Sequence, residues 1–379
     1  MKKVAHILSY FPGQEGLTSF CRGLGSAFEK IEELDVPIIT FRGKPAKEFT
    51  GREPPLIKYP HRKKHPFDLP AGFLRALDSG ELVLDGAVLH GTYSPQVFAL
   101  ARALHKRKVP YIFMPHDPYV RDLTRHGAFR KFAFWHLCEK WVIDHAAAIQ
   151  LLSAGHEAPL RALGRKTPVY TIANGCHPED RKFIDPKARI PGEGGDFVIQ
   201  YLGRMDRNHK GLDLLIRGFA QFLSGFENDE KIFLQLSGND WVDRPFLESL
   251  AKELGISDRM RFTGRLPEHS VTIHSRADLS VLCSRFDGFG LTIVEAMLAG
   301  RPVMVSREAG IAEHVEKAKA GFLVDPNVAS IAEGFDTVWT ARGELAAMGG
   351  RAQDFVCSDL TWAAVARKSR TIYKSVFGC

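Results

Sequence analysis

The sequence of 379 residues has no apolar run near the roughly 18 residues that a membrane-spanning helix needs. Its six cysteines, at positions 21, 138, 176, 283, 357 and 379, are scattered and include no CxxC pair. That pattern argues against a zinc site or a disulfide framework and favours a reducing, cytoplasmic setting. No GxGxxG follows a strand-like run, which weighs against a dinucleotide oxidoreductase. No nucleic-acid-binding module is recognisable, so nucleic acid is not an expected partner. Lys2 and Lys3 precede a short apolar stretch that contains a histidine and lacks a small-residue cleavage site. The start therefore reads as a first strand and not as a signal peptide.

What is present is an ordinary globular composition, 45% hydrophobic and 25% charged, over a length that implies two domains. The net charge of +7 is unevenly placed. Residues 1–175 carry an excess of about nine positive charges, and the remainder is slightly acidic. A basic first half suits an anionic partner such as a lipid headgroup surface or an acidic glycan.

Short apolar runs alternate with helical patterns along the first half. Strands are expected at Val4–Ser9, Val36–Phe41, Gly86–His90, Tyr111–Met114, Ala147–Leu151 and Pro168–Ile172, and helices at Leu17–Glu33, Ser94–Lys106 and Val120–Asp144. The basic, Gly- and Pro-bearing stretch Arg42–His65 reads either as a solvated loop or as an acceptor-binding one. A Gly, Pro and charge-rich region between Asn174 and Gly195 reads as the interdomain linker. The alternation then restarts, with strands at Phe197–Leu202, Ile232–Ser237, Arg261–Thr263, Leu279–Cys283, Pro302–Val305 and Gly321–Val324. A clear helix covers Leu212–Leu223, and a last amphipathic one covers Trp362–Val376. Such alternation builds parallel sheets covered on both faces, whose ligands bind at the carboxyl ends of the strands.

Two stretches at such strand ends carry the chemistry. Ser284-Arg-Phe-Asp-Gly-Phe-Gly-Leu-Thr-Ile-Val-Glu295 begins where the strand Leu279–Cys283 ends, passes Gly288 and Gly290 and enters a helix. A loop that presents backbone N–H groups at a helix N-terminus is an anion site, and Asp287 and Glu295 bracket it. In Gly203-Arg-Met-Asp-Arg-Asn-His-Lys210, Arg204 follows a strand and Lys210 stands where the next helix begins. A cation there opposes the helix dipole unless an anion lies between the two basic groups. A guanidinium and an ammonium together suit a diphosphate and stabilise it as it leaves. A glycosidase carboxylate pair is the competing reading of Asp287 and Glu295, but a glycosidase has no diphosphate leaving group for Arg204 and Lys210 to hold.

Arg204 and Lys210, followed by Asp287-Gly-Phe-Gly-Leu and Glu295-Ala-Met, resemble the retaining glycosyltransferases of the GT-B fold, specifically the GT4 family. The resemblance extends over nearly the whole chain. It departs at one position, because the family's E-x7-E has Asp287 in place of its first Glu. It implies an α/β fold of two Rossmann-like domains with parallel sheets facing across a cleft, and a C-terminal helix crossing back to the first domain. The implied domains are residues 1–175 for the acceptor, 176–357 for the nucleotide sugar and 358–379 for the returning helix.

On that resemblance Glu295 accepts hydrogen bonds from the donor's ribose. Asp287, with the amides of Gly288, Phe289, Gly290 and Leu291, addresses the sugar and phosphates, and Arg204 and Lys210 bind the diphosphate. The base lies near Ser237-Gly238-Asn239 and Gly264-Arg265-Leu266, with Asn174 at the interdomain crossing. Gly13 and Gly16 bring the first loop close to the phosphates, His116 contacts the donor sugar, and His90 lines the acceptor side. The expected donor is a UDP- or GDP-sugar and the expected acceptor a glycan or lipid-linked hydroxyl. The Asp-x-Asp pair of metal-dependent transferases is absent, so neither a metal nor another cofactor is expected.

Competing functions are an epimerase or hydrolase of the same fold, and a catalytically silent nucleotide-sugar binder. The segment Tyr119–Asp144 interleaves five Lys and Arg with five Phe and Trp. It reads either as a buried helix or as one lying peripherally on an anionic membrane surface.

Overall fold

The computed structural model describes residues 2–8, 16–28, 34–42, 56–60, 65–116, 128–226, 231–238 and 243–378. By its contacts the chain divides into two compact units, Met1–Gly175 with Trp362–Cys379, and Cys176–Thr361.

The first unit opens with β1 (Lys2–Leu8), α1 (Gly16–Phe28), β2 (Leu34–Asp35), β3 (Ile38–Thr40) and β4 (Leu56–Lys58). Then come α2 (Ala71–Ser79), β5 (Gly86–His90), α3 (Pro95–Lys106) and β6 (Tyr111–Met114). After α4 (Ala128–Phe134), a π-helical turn at Trp135–Glu139 leads into α5 (Lys140–His145), β7 (Ala148–Leu151), α6 (Glu157–Ala162) and β8 (Val169–Thr171). The strands pair in the order β4-β3-β1-β5-β6-β7-β8, with β2 joining β1, and the pairings are parallel. Val88, Leu89, Ile112, Phe113 and Ile149 are wholly buried, as continuous apolar runs covered on both faces should be.

The second unit has β9 (Phe197–Leu202), α7 (Arg207–Lys210), α8 (Leu212–Leu223), β10 (Ile232–Ser237), α9 (Arg244–Glu253) and β11 (Met260–Gly264). It continues with α10 (Ser270–Ser275), β12 (Leu279–Leu282), α11 (Leu291–Leu298), β13 (Val303–Ser306) and α12 (Ala312–Ala318). It closes with β14 (Gly321–Val324), α13 (Val328–Thr340) and α14 (Leu345–Ser358). Its six strands run parallel in the order β11-β10-β9-β12-β13-β14. The helix α8 is amphipathic: Leu212, Leu215, Ile216, Phe219 and Phe222 are buried, with Phe219 against Phe335 of α13.

The last helix, α15 (Trp362–Phe377), belongs to the first unit. Trp362 meets Phe20 edge-on and Tyr373 stacks on Phe28, both from α1. At about 1.5–3 kcal/mol per large apolar side chain buried, Trp362, Val365, Tyr373 and Phe377 hold this helix down.

Four expectations change. Only the start of the Asn174–Gly195 region serves as a crossing; its Gly- and Pro-rich end belongs to the second unit, where buried Asp278 accepts hydrogen bonds from Gly192 N–H (3.0 Å) and Val198 N–H (2.7 Å) and pairs with Arg189. The first crossing between units falls at Gly175–Cys176. Residues 358–361 stay with the second unit, where Cys176 N–H donates to Leu360 O at 2.7 Å. The basic stretch after Arg42 holds the edge strand β4, while residues 43–55 and 61–64 lie outside the described residues. The helix expected at Val120–Asp144 is α4, the π-helical turn and α5, and its start lies outside them too.

Candidate active site

In the second sheet β9 lies between β10 and β12, and the chain leaves it in opposite directions on the two sides. Ligands of open parallel sheets bind at such a switch point, outside the carboxyl ends of the strands, which are here the ends of β9 and β12. The turn after β9 is anchored from below. Tyr201, fully buried, donates its hydroxyl to Arg204 O at 2.7 Å, and Gly203 N–H donates to Ser237 O at 3.0 Å. Arg204 is exposed, and its guanidinium makes no hydrogen bond or ion pair among the described residues. Asp206 caps α7 by accepting the N–H groups of Asn208 and His209, each at 3.0 Å.

Lys210 was expected to oppose the dipole of the following helix. It closes α7 instead, and Gly211, at φ 63°, separates it from α8. Its ammonium pairs with Asp287, so a carboxylate of the same unit answers its charge here. The side chains of Lys210 and Asp287 are only 19% and 10% exposed, so water screens this pair less than a surface one.

The loop after β12 is stitched to the first. Arg285 forms a two-pronged pair with Asp213, both bonds 2.8 Å, and donates to Arg207 O at 2.6 Å. Its backbone N–H reaches His209 O at 3.0 Å. Arg285 lay inside the quoted stretch, but its partner, 72 residues away, left no signal in the sequence. Asp287 also accepts Phe289 N–H at 3.1 Å, and its carbonyl accepts Gly310 N–H at 3.1 Å. Gly290, at φ 100°, opens α11 without a side-chain cap. Among the described residues the N–H groups of Leu291 and Thr292 donate to nothing, so this helix end is ready for an anion.

Glu295, in the next turn of α11, is half-buried. Burial pushes its carboxyl up to about 7; the Ser270 hydrogen bond opposes this and the Asp180 charge adds to it. Neither Ser270 nor Asp180 was foreseen. Ser237 is fully buried, hydrogen-bonded by Gln200 (3.0 Å) and Thr263 (2.9 Å), so its side chain orders the strand ends. Gly238 donates to Gly264 O at 2.9 Å, bringing the ends of β10 and β11 together, and Arg265 beside them is exposed. Asn239 lies outside the described residues. Phe289 is buried against the His314 ring, 5.7 Å away.

In the first unit Gly16 begins α1, and Gly13 lies outside the described residues. Asn174 is buried with its Oδ1 unpartnered among the described residues. His116 lies two residues beyond the end of β6, at φ 65°, a left-handed backbone uncommon for a non-glycine residue. Its Nε2 lies 2.8 Å from His90 Nδ1. His90 was expected to line the acceptor side, but it is only 4% exposed and both ring nitrogens are bonded, the second to His6. Burial lowers His6 to about 3 and His116 to about 4, and holds His90 well below its ordinary value, so all three rings are neutral near pH 7. The basic segment splits: Trp141 packs edge-on to Phe98, whereas Phe132 and Leu137 are 64% and 74% exposed.

Two parallel Rossmann-like sheets, with phosphate-type loops at a switch point, define the GT-B class, and solved structures of low identity share this fold. Sucrose-phosphate synthase from Thermosynechococcus elongatus superposes with a TM-score of 0.78 at 20% identity, over all of both chains. Anabaena HepE, solved in complex with UDP-glucose, gives 0.76 at 18% identity, over 99% of this chain and all of that one. Residues 16–175 match the glycosyl transferase 4-like domain, and residues 181–355 match the glycosyl transferases group 1. The chain belongs to the GT4-like glycosyltransferases. The D-inositol 3-phosphate glycosyltransferase of Corynebacterium kroppenstedtii is 32% identical over 47% of this chain and 40% of that protein. The chain spans about half the length of the curated relatives it matches.

Proposed function

We propose that the protein transfers a sugar, with retention, from a nucleoside-diphosphate sugar to a hydroxyl of a glycan or lipid-linked acceptor in saccharide or glycoconjugate synthesis. The observation that carries the reading is the Lys210–Asp287 pair beside the uncapped start of α11, with the exposed Arg204 after the neighbouring strand. A diphosphate entering there meets an ammonium, a guanidinium and free backbone N–H groups, which together stabilise the departing charge without a metal. Asp287, relieved of part of its hold on Lys210, faces the sugar hydroxyls, and Glu295 accepts from the ribose. The bond from the anomeric carbon to the phosphate oxygen breaks with its electron pair going to that oxygen. The acceptor oxygen bonds to the anomeric carbon on the same face, and its proton passes to the leaving phosphate. By the family resemblance, His116 is the sugar-contacting residue to test in the first unit.

UDP- and GDP-sugars are the donors to screen, by release of free nucleoside diphosphate with and without acceptor extracts. Lys210→Ala and Glu295→Ala are each expected to lower acceptor-dependent release by at least about a hundredfold in a folded protein. Near-normal turnover in both variants refutes the assignment, and release that ignores acceptor makes the protein a hydrolase. Peripheral contact with an anionic membrane is the finer reading, supported by exposed Phe132 and Leu137 beside Arg130 and Lys131.

A further inference from the structure

Three histidines form one hydrogen-bonded chain that begins on the C-terminal helix. Tyr373 Oη lies 2.9 Å from His6 Nε2, His6 Nδ1 lies 2.9 Å from His90 Nε2, and His90 Nδ1 lies 2.8 Å from His116 Nε2. The adjacency of β1, β5 and β6 makes this possible, because it stacks the three rings side by side. The chain is dry. Tyr373 is fully buried, His6 is 2% exposed, and the Phe20 ring packs against all three imidazoles. A neutral imidazole has one N–H and one lone pair, so each ring passes on the hydrogen-bond direction it receives.

Tyr373 sets that direction. Among the described residues His6 is the only hydrogen-bond partner of its hydroxyl. If the hydroxyl accepted from His6, its own proton would be buried without a partner, which is the costlier arrangement. It therefore donates. His6 then carries its proton on Nδ1 and gives it to His90, and His90 carries its proton on Nδ1 and gives it to His116.

We propose that Tyr373 is a positioning residue that acts through His6 and His90 to hold His116 as the Nδ1–H tautomer. The lone pair on Nε2 is then occupied, and His116 offers its ligand a donor instead of an acceptor. The left-handed backbone at His116 agrees with a residue whose orientation is fixed by its surroundings. Cys21, His6 and His90 bring three ligand atoms within 4.8 Å, but a metal taking the facing lone pairs would break the His6–His90 bond. The use of this tautomer rests on the reading of His116 as a sugar contact, whereas the tautomer itself does not.

Long-range 1H–15N spectra of the full-length protein labelled at histidine read the tautomers directly, with His116→Gln assigning the His116 signals. The expected parent spectrum has Nδ1–H at His6, His90 and His116. Tyr373→Phe is expected to move His116 toward the Nε2–H form that free histidine prefers. Phe28→Leu loosens the stack on the Tyr373 ring, keeps the hydroxyl, and is expected to leave Nδ1–H in place. An Nε2–H signal at His116 in the parent overturns the proposal even if Tyr373→Phe fails to fold. An unchanged His116 in Tyr373→Phe, the same loss in Phe28→Leu, or stoichiometric zinc in the purified protein overturns it as well. A protein that shows the Nδ1–H pattern but transfers no sugar refutes the transferase reading and leaves this one standing.

Discussion

Glu295 should make the second unit less stable as pH rises, and Glu295→Gln should remove that loss. Burial raises its carboxyl from the ordinary 4.5 to about 7. Between those values the folded state holds a proton that the unfolded chain has released, so stability falls as pH rises through the window. The full penalty applies above pH 7. Raising the carboxyl that far corresponds to a ceiling of about 3 kcal/mol at full ionisation, and partial exposure trims it. Between about pH 5 and pH 8 the advantage of Glu295→Gln over the parent should therefore grow by about 2–3 kcal/mol. For a unit of this size that is about 5–10 °C in the melting transition. Paired thermal melts across that range measure it, and titrations common to both proteins cancel in the difference. Parallel pH curves would refute the reasoning, because they would mean that Glu295 is hydrated enough to ionise as freely as an exposed carboxylate.

Two further perturbations test the loops and the surface. Gly211→Ala forces a side chain onto a left-handed backbone and places its Cβ 2.5 Å from Cys283 O, a backbone atom that cannot step aside. A loss of about 1–3 kcal/mol is expected in the second unit's melt, and an unchanged melt would show that the turn relaxes freely. If the membrane reading is right, the parent should co-sediment with phosphatidylglycerol vesicles at low salt, and Phe132→Asp with Leu137→Asp should reduce the bound fraction several-fold. A parent that stays in the supernatant ends that reading.

Legibility from sequence followed the distance over which each feature is decided. Gly86–His90, Phe197–Leu202 and Leu212–Leu223 were readable because burial on both faces, or on one, writes its period into neighbouring residues. The three-residue edge strand β4 is too short to show a period and lay hidden in a basic stretch. Residues 190–195 have the composition of a linker, yet Asp278, far along the chain, ties Gly192 to the start of the central strands β9 and β12. The site divides in the same way. Spacing located Lys210, Asp287 and Glu295 one by one, since a strand, a loop and a helix start are local events. Spacing could not show that Lys210 and Asp287 meet, or that Arg285 ties the two loops together through Asp213. The histidines give the sharpest case. His90 looked like a ligand contact because it ends a strand, yet its position between His6 and His116 makes it a link in a chain. That chain begins at Tyr373, 367 residues from the ring it touches. A residue's identity and place in its element were thus readable, but which proton it carries depends on partners that only the folded sheet and the returning helix bring together.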